Sequence, residues 1–339
     1  MEWWHPEAFA EKRAYLRTRM ALIKAMRGFF DRHDFYEVET PALQLCPAVD
    51  THIHAFATDI KSVGLDVRGR LYLHTSPELA MKKLMVAGLP QLYQICHVFR
   101  NGDDSRLHSP EFTMLEWYRC HSGYRQIMKD CEELLRHCAE QCGITHYRHK
   151  GHDIDPFGEW DYITVSEAFT RYAGLDLESL LDDTDAFHAA LKEQSIRTAA
   201  DDRWDDLFFR VMAEKIEPFL GQDKPAILYE YPLCLASLAR PVAERPAFAE
   251  RFELYMGGLE LANAFGELTN PQVQKERFQT EMAAKQTLYG ETYPLDEELI
   301  RALAYGLPES GGIALGVDRL AMLASGAETI DQVLWTPKP

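Results

Sequence analysis

The chain has 339 residues, of which 46% are hydrophobic and 11% aromatic, so it can bury a sizeable core. Its formal net charge of −17 disfavours approach to a phosphate backbone, so a nucleic-acid partner would need a local basic patch. No leader sequence or apolar run of membrane-spanning length is visible, and seven cysteines without paired spacing favour reduced thiols in a cytoplasmic protein.

Apolar spacing and proline positions define the first predicted elements. Residues 12–32 show the periodicity of an amphipathic helix, and residues 35–41 indicate a short strand closed by proline. A second helix is expected to start with Ser76 as its N-cap and Pro77 at its first helical position. It should continue to Gly88.

A long hairpin follows this helix. Residues 91–100 and 110–119 have strand-like composition, and the polar segment 101–109 joins them. Because side chains alternate along a strand, the second strand should have two distinct faces. One face carries Phe112, Met114, Glu116 and Tyr118, and the other carries Thr113, Leu115, Trp117 and Arg119.

The rest of the chain predicts further strands with helices around them. A helix at about 124–142 precedes a predicted insertion at about 153–225, whose acidic clusters are expected to be solvated faces and helix starts. Strands at 226–231 and 251–263, a helix at 272–287 and a glycine-rich segment at 311–324 complete the order. We therefore predict an α+β fold, an antiparallel sheet core flanked by helices, in a single domain spanning residues 1–339.

The first hairpin carries candidate ATP-binding residues. Arg100 ends one strand and Phe112 lies early in the next, so a guanidinium could grip phosphate oxygens while a ring stacks on adenine. A surface arginine and a core phenylalanine are the ordinary alternative.

The glycine-rich segment near the C-terminus could contact the same nucleotide. Glycines at 311, 312 and 316 would let a nucleotide lie against the backbone, and Arg319 would emerge beside its phosphates or its base. A structural arginine at a helix start is the alternative.

Two glutamates are candidate Mg²⁺ ligands. A two-residue turn at Gly257-Gly258 would pair Tyr255 with Glu260. Parity then places Glu253 opposite Ala262, on the same face as Glu260. Converging carboxylates repel unless a cation lies between them, and Mg²⁺ bridging ATP phosphates suits that position. The alternative is a pair of exposed glutamates on a wet sheet face.

A second polar group is not placed for phosphate and consists of Glu78, Glu116, Glu267 and Tyr118. A negatively lined pocket with one phenol suits a long ammonium side chain such as that of lysine, because a buried charge must be paired. Glu78 could instead offset the dipole of its own helix. Strand parity does not bring Glu267 to this face, so we assume a bend or a helical turn near residues 264–265.

Taken together, these segments resemble class II aminoacyl-tRNA synthetases of the lysine subgroup, from about Lys12 to the C-terminus. The helix and strand that end at Pro41 resemble the first motif of that family, which forms the homodimer interface. Residues 99–119 resemble the second motif, and residues 312–320 resemble the third. The resemblance implies a class II catalytic domain that uses ATP and Mg²⁺.

The resemblance also implies roles for individual residues. Arg100 and Arg319 would be the catalytic residues that bind ATP from opposite sides, and Glu253 and Glu260 would hold Mg²⁺. The other ATP-binding residues would be Asn101, Gly102, Ser109, Phe112, Leu261 and Gly316, with Glu260 among them. The amino-acid substrate would contact Ser76, Pro77, Glu78, Glu116, Tyr118, Asn263, Glu267 and Ala314.

Within the family, the chain is most similar to a truncated stand-alone branch that attaches β-lysine to a lysine of elongation factor P. Only residues 1–98 precede the second motif, which predicts no anticodon-binding domain and no tRNA partner. Ala314 stands where tRNA-charging relatives have glycine. We expect a homodimer that forms a β-lysine or lysine adenylate and transfers the amino acid to the ε-amino group of a lysine on elongation factor P.

Two positions depart from the family pattern. Gly102 stands where glutamate usually contacts adenine, and Ser109 stands where asparagine is usual. Asp103 or Asp104 could supply the missing carboxylate. Two other functions stay open at this stage, because no motif identifies the acceptor. They are a lysine-activating amide ligase with another small or carrier acceptor, and a non-catalytic sensor of amino acid and nucleotide.

Overall fold

A computed structural model of the chain describes residues 2–47, 50–61, 63 and 67–338. The helices are α1 (Pro6–Arg32), α2 (Glu78–Val86), α3 (Tyr124–Cys142), α4 (Val165–Ala168), α5 (Thr184–Glu193), α6 (Trp204–Val211), α7 (Pro271–Tyr289), α8 (Glu297–Gly306) and α9 (Val317–Ser325). The strands are β1 (Tyr36–Glu37), β2 (Leu43–Gln44), β3 (Ala57–Lys61), β4 (Val67–Leu73), β5 (Gln91–Phe99), β6 (Glu111–Cys120), β7 (Tyr147–His149), β8 (His152–Ile154), β9 (Asp161–Thr164), β10 (Ala226–Pro232), β11 (Pro241–Val242), β12 (Arg245–Met256), β13 (Leu259–Gly266) and β14 (Ser310–Gly316).

A nine-stranded sheet forms the centre of the molecule. Its strand order is β1-β5-β6-β14-β13-β12-β10-β9, and β11 pairs with β12 beside this path. The central pairings are antiparallel, whereas the outermost ones, β1 with β5 and β10 with β9, are parallel. The predicted α+β class with an antiparallel sheet core is confirmed, and the structure adds one parallel pairing at each edge of the sheet.

One face of this sheet is the floor of the main hydrophobic core. The helices α1, α3 and α9 cover it and contribute fully buried side chains such as Phe30, Leu134 and Leu320. From the sheet, Leu115 and Trp117 of β6 point into this core. The predicted alternation along residues 112–118 is therefore confirmed, because the alternate side chains line cavities on the opposite face.

The opposite face is partly open. At one end, α2, α7 and α8 cover it through a smaller core that includes Met81, Phe278 and Leu303 together with Tyr118 of β6. Beyond this cover the sheet forms the floor of a cleft. The strand faces that carry Glu116, Ala314 and Asn263 meet in this cleft, because these residues are register neighbours across β6, β14 and β13.

Residues of the predicted insertion form a separate core cluster. It joins buried side chains between Ile163 and Leu220 to Leu228 of β10 and Tyr255 of β12. The cluster contains several stacked aromatic rings, including those of Phe169 and Phe208. The acidic residues predicted to start helices do so at two points. The Asp183 side chain accepts a hydrogen bond from the Ala186 amide at the start of α5, and the Asp206 side chain accepts one from the Arg203 amide at the start of α6.

Several element boundaries differ from the sequence predictions. The first helix begins at Pro6 rather than Lys12, because the His5 side chain caps it and proline is tolerated at its first position. The strand predicted over 35–41 pairs only at Tyr36 and Glu37. Pro77 itself is the N-cap of α2, one position later than expected, although the Ser76 hydroxyl still accepts a hydrogen bond from the Glu78 amide at 3.0 Å.

A buried ion pair connects the first helix to the cleft. Arg19 of α1 contacts the Asp318 carboxylate at the start of α9, and its Nη2 donates to Thr113 Oγ1 at 2.7 Å. The Thr113 amide in β6 donates to the other Asp318 oxygen at 2.8 Å. Asp318 precedes Arg319 in sequence, so this network fixes the backbone from which the Arg319 side chain emerges.

None of the helices in the described ranges combines the length and the apolar character that crossing a membrane requires.

Candidate active site

Two adjoining cavities lie on the open face of the sheet. The first has a volume of about 140 Å³ and contains Glu78, Glu116, Tyr118 and Glu267; we name it the acidic pocket. The second has a volume of about 260 Å³ and contains Arg100, Phe112, Glu260 and Arg319; we name it the arginine pocket. Their shared walls are formed by Ile53, Arg100, Met114, Asn263 and Ala314. A molecule with a cationic end and an anionic end could therefore occupy both.

Glu116 lies at the centre of the acidic pocket. Its Oε1 accepts a hydrogen bond from Ser76 Oγ at 2.5 Å, and its Oε2 accepts one from the Tyr118 hydroxyl at 3.0 Å. Burial, reinforced by the charge of Glu78, raises the pKa of Glu116 to about 8 in spite of these two donors. This carboxyl group therefore changes protonation near neutral pH.

Glu267 reaches the acidic pocket through a β-bulge in β13. Tyr255 pairs with Glu260, as predicted, but Leu254 pairs with Ala262, so Leu261 is an extra residue on β13. The bulge reverses the parity of every later position, which brings Asn263 and Glu267 to the cleft. The bend or helical turn assumed near residues 264–265 is wrong, because β13 runs without interruption to Gly266.

The same bulge changes the position of Glu253. This residue pairs with Asn263 and not with Ala262, so the predicted partner is wrong by one residue. The extra residue in β13 is the cause. The pairing counted outward from the Gly257-Gly258 turn is regular only as far as Glu260, and beyond it each partner is displaced by one residue.

Glu267 has an unsatisfied carboxylate oxygen. Its side chain is 1% exposed, and Oε1 has no hydrogen-bond partner within the described part of the chain. Burial raises its pKa to about 7, the Lys82 ammonium opposes the shift, and Glu78 adds to it. A buried acceptor without a donor is costly, so an ammonium group from a ligand would be stabilised here.

Gly312 makes room for this arrangement. A Cβ atom at this position would overlap the Tyr118 ring and Glu267 Oε1. The pocket therefore depends on a glycine directly opposite Tyr118 in the β14–β6 pairing.

Lys82 is a member of the acidic pocket that the sequence analysis missed. Its Nζ lies 2.6 Å from Glu78 Oε1 and 2.6 Å from Glu267 Oε2, and the residue is 1% exposed. Burial lowers the pKa of Lys82, but the two carboxylates more than compensate and the net shift is upward. The spacing of Glu78 and Lys82, one helical turn apart, was the available signal.

Arg100 and Phe112 face each other across the arginine pocket. The Arg100 guanidinium lies 5.3 Å from the centre of the Phe112 ring, a cation–π distance. The Arg100 Nε is buried and has no hydrogen-bond partner among the residues described. An unpaired donor beside an exposed ring face suits an anionic ligand with an aromatic base.

Arg319 is held at the other side of the same pocket. Its Nη1 donates to the Glu260 carbonyl at 2.6 Å, and its Nη2 contacts Nε2 of His108. Burial and the neighbouring Arg319 lower the pKa of His108, so the ring is neutral. Because arginine can only donate, Nε2 accepts and Nδ1 carries the proton toward Ser105 Oγ, 2.7 Å away. His108 is a second residue that the sequence analysis missed.

Glu260 and Glu253 lie close together at the edge of the arginine pocket. Burial and then the Glu253 charge raise the pKa of Glu260 to about 7. The Glu260 side chain is nevertheless 41% exposed toward the cavity. A carboxylate with a like-charged neighbour and an open side fits a divalent cation.

Glu253 is more constrained than Glu260. Its Oε1 accepts from Arg251 Nη2, and its Oε2 accepts from the hydroxyls of Tyr231 and Tyr255, each at 2.6 Å. A carboxylate has about four acceptor positions, so roughly one remains for a metal ion. Arg251 was not identified from the sequence, although its spacing of two residues from Glu253 on one strand was the available signal.

Most of the predicted site residues line the two cavities. In the acidic pocket these are Ser76, Glu78, Glu116, Tyr118, Asn263, Glu267 and Ala314, and in the arginine pocket they are Arg100, Ser109, Phe112, Glu260, Leu261, Gly316 and Arg319. Pro77, Asn101, Gly102 and Glu253 lie outside these walls. Asp103 lines the arginine pocket, whereas Asp104 forms an ion pair with Lys338 at 2.5 Å.

Comparison with known proteins finds one family that matches nearly the whole chain. Residues 8–339 match the family described as tRNA synthetases class II (D, K and N). The chain is 37% identical over 337 residues to an elongation factor P (R)-β-lysine ligase of Vibrio parahaemolyticus, covering 99% of this chain and 98% of that protein. It is 38% identical to a ligase of the same name from Sodalis glossinidius, with 98% and 96% coverage. A lysine–tRNA ligase of Pelotomaculum thermopropionicum is 37% identical, and there the match covers 96% of this chain and 64% of that protein.

Proposed function

This chain belongs to the class II tRNA synthetases of the D, K and N group, and on that premise we propose that it activates (R)-β-lysine or lysine with ATP and transfers it to elongation factor P. The acceptor is the ε-amino group of a lysine on that factor, and the product is an amide. The chain is then a ligase, as its similar relatives are named.

The observation that carries the proposal is the shared wall between the two pockets. The acidic pocket holds a buried oxygen of Glu267 that lacks a donor within the described residues, and the arginine pocket holds unsatisfied guanidinium nitrogen on Arg100. A lysine side chain in the first pocket directs the carboxylate of the amino acid toward the second. ATP bound there presents its α-phosphate to that carboxylate.

Activation is an in-line displacement. The amino-acid carboxylate attacks the α-phosphorus of ATP, the bond to the bridging oxygen breaks, and pyrophosphate leaves. Arg100 and Arg319 neutralise the charge that develops on the phosphate oxygens. Phe112 stacks on adenine, and Arg319 keeps its orientation through His108 and the Glu260 carbonyl.

Mg²⁺ would be held by Glu260 and by the remaining acceptor position of Glu253, where it would neutralise phosphate charge. The residues present fit this ion, because the Glu253 charge raises the pKa of Glu260 and Glu253 keeps about one acceptor position free.

Transfer needs no covalent enzyme intermediate. The ε-amine of the acceptor lysine attacks the carbonyl carbon of the mixed anhydride, and AMP leaves with the bond electrons. The amine proton is released, and an amide bond remains. Positioning of the two reactants accounts for the rate.

Ala314 is the residue we assign to the choice of a β-amino acid. It lines both pockets and pairs with Glu116 on one side and Asn263 on the other. A methyl group at this junction, where tRNA-charging relatives have glycine, reduces the space near the amino group of the substrate. The pocket floor then suits an amino group shifted by one carbon.

A homodimer is part of the proposal. Exposed apolar side chains lie in the first motif, where the family forms its dimer interface, and directly after it. They are Met20 at 45% and Tyr36 at 53% exposure within the motif, and Leu43 at 45% and Leu45 at 69% beyond it. Burying them against a second copy would stabilise the assembly.

We also propose that the enzyme works in the cytoplasm, and that residues 153–225 are an insertion within a single catalytic domain.

The decisive experiment combines the purified protein with ATP, Mg²⁺, (R)-β-lysine or lysine, and elongation factor P, followed by intact-mass measurement. We expect the factor to gain the mass of one lysine residue, and a factor whose acceptor lysine is replaced by arginine should gain none. Charging of bulk tRNA instead would overturn the proposal. Lysine-dependent pyrophosphate exchange without transfer would point to another amine acceptor, and ATP binding without exchange would point to a sensor.

A further inference from the structure

Lys82 is buried inside the pocket that we assign to the amino-acid side chain. Its ammonium contacts Glu78, one helical turn earlier on α2, and Glu267, which follows β13. Both distances are 2.6 Å, and the side chain is 2% exposed. A lysine is almost never buried in this way unless carboxylates pair with it.

The other carboxylate of the pocket does not depend on Lys82. Glu116 has both oxygens occupied by hydroxyl donors from Ser76 and Tyr118. Glu267 Oε1 is the buried acceptor that still lacks a donor among the described residues. Lys82 thus occupies one side of Glu267 and leaves the other side open to the cavity.

Counting charges explains why this arrangement suits one incoming ammonium. Three carboxylates carry a charge of −3 when ionised, and the Lys82 ammonium reduces this to −2. Burial raises the pKa of Glu116 to about 8 and that of Glu267 to about 7, so in the form with Glu116 protonated and Glu267 ionised the sum is −1. One side-chain ammonium then balances the pocket.

We propose that Lys82 is a resident counter-cation of the amino-acid pocket, which keeps Glu267 ionised and fixes both Glu78 and Glu267 for the ammonium of the substrate. This inference rests on the proposed function and assigns a positioning role to a residue that contacts the carboxylates rather than the reacting atoms.

Several charged or titratable groups lie near Glu267, so they bear on any pH experiment. They are Glu116 and Tyr118 from β6, Glu78 and Lys82 from α2, Arg240 before β11, and Asp50 and Arg100 on the cavity wall. Among them, Lys82 is the cation in direct contact with Glu267. Its removal should therefore raise the pKa of Glu267 further above its already elevated value of about 7.

The direction of the expected KM shift follows from the protonation state of Glu267 that binds the substrate ammonium. An ionised Glu267 attracts the substrate ammonium, and a protonated one does not. Without Lys82, Glu267 stays protonated up to a higher pH. The KM for the amino acid should therefore decrease at a higher pH in the variant than in the wild type. The wild type should reach its low KM at lower pH.

The test compares Lys82→Met, which keeps the chain length, with Lys82→Arg, which keeps the charge. Amino-acid-dependent pyrophosphate exchange is measured from pH 6.5 to 9. For Lys82→Met we expect the midpoint of the KM profile to shift upward by about one pH unit, which from a midpoint near 7 raises the KM for the amino acid at pH 7 by roughly fivefold. The KM for ATP should be unchanged, and Lys82→Arg should keep the midpoint of the wild type.

Lys83→Met is the matched control. Lys83 is the next residue on α2, but its ammonium contacts Asp296 and Glu298 outside the pocket. The pH profile of the KM for the amino acid in Lys83→Met should match that of the wild type. A Lys82→Met protein with the midpoint and the KM of the wild type would overturn the inference, and so would an equal rise in the KM for ATP.

A double variant covers the case in which Lys82→Met does not fold. Lys82→Met with Glu78→Gln removes one charge of each sign, so the midpoint should return toward that of the wild type although binding is weaker. A midpoint that stays displaced would contradict the counter-cation role. If the wild type itself shows no exchange with lysine or β-lysine, the proposed function fails, which is a distinguishable result.

Discussion

The acidic pocket and the arginine pocket balance their charges in opposite ways. In the acidic pocket the carboxylates are buried and already contact protein donors, namely Ser76, Tyr118 and Lys82. In the arginine pocket, Arg100 Nε has no partner within the described structure, and the Arg319 side chain is 21% exposed. The first pocket is organised by contacts within the protein, whereas the second leaves a guanidinium donor of Arg100 for an anionic ligand.

This difference predicts different kinetic consequences for the two ends of the cleft. Changes in the acidic pocket should alter the KM for the amino acid and its pH dependence, because that pocket binds a group that does not react. Changes in the arginine pocket should lower kcat, because its guanidinium groups stabilise charge that develops in the transition state.

The largest expected effect is that of Arg100→Ala. Removing the guanidinium should reduce lysine-dependent pyrophosphate exchange by roughly 10³-fold or more, because a phosphate oxygen loses a charged donor in a site with little water. Arg106→Ala is the control, since that side chain belongs to the same loop but is 74% exposed. Exchange at nearly the normal rate in Arg100→Ala would remove the basis for the proposed activation step.

Gly312→Ala should produce the next largest effect, and it should be confined to the acidic pocket. The added methyl group overlaps Tyr118 and Glu267, so the KM for the amino acid should rise at least about tenfold while the KM for ATP stays the same. Gly69→Ala, where a Cβ meets no atom within 4 Å, should behave as the wild type. If Gly312→Ala raised both KM values equally, the two pockets would not be separable.

Local patterns were sufficient to predict much of the fold. Helix α3 has the predicted bounds, because its amphipathic pattern ends where Gly143 adopts a left-handed conformation and caps it. The two faces of β6 follow from alternation, which every residue in a strand obeys. Alternation therefore predicts that Glu116 and Tyr118 share a face with Phe112, and the structure shows that this face lines the cleft.

The β-bulge and the ion pairs across the pocket could not be predicted in the same way. A single extra residue, Leu261, leaves the composition of β13 unchanged but reverses the direction of each later side chain. The contact of Lys82 with Glu267 joins elements far apart in sequence. Such contacts follow from packing, so the sequence indicated the acidic residues but not the cation between them.

Glu116→Gln should also have a smaller effect on the pH dependence of stability. Burial raises the pKa of Glu116 from its usual 4.5 to about 8, so between these pH values the folded protein holds a proton that the unfolded chain releases. The free energy of unfolding should therefore fall as pH rises through this window. In Glu116→Gln this fall should be weaker, by an amount on the order of a few kcal/mol between pH 5 and pH 8.

Urea unfolding at several pH values measures this slope. Glu111→Gln provides the control, because Glu111 lies in the same strand with a side chain that is 48% exposed. Equal slopes for Glu116→Gln and the wild type would mean that Glu116 is ionised throughout this range, and the charge balance of the acidic pocket would need another proton donor.

The smallest expected effect concerns the choice of nucleotide in the arginine pocket. Asp103 lines that pocket, so we propose that its carboxylate accepts a hydrogen bond from the adenine amino group. Asp103→Asn should reduce the preference for ATP over GTP in pyrophosphate exchange by roughly five- to tenfold, since one such bond contributes about 1 kcal/mol. Asp104→Asn should leave it unchanged, because Asp104 contacts Lys338 instead.

The backbone at Gly102 explains why the carboxylate would come from the next residue. Gly102 has a φ of 95°, a conformation in which side chains other than hydrogen cost roughly 1–2 kcal/mol. A glutamate at this position would therefore strain the loop, even though no atom lies within 4 Å of its Cβ.

Gly102→Glu should thus not raise the preference for ATP unless Asp103 is also replaced. A clear gain in the single variant would show that the loop lacks an adenine-reading carboxylate, and the arginine pocket would then discriminate between bases by stacking alone.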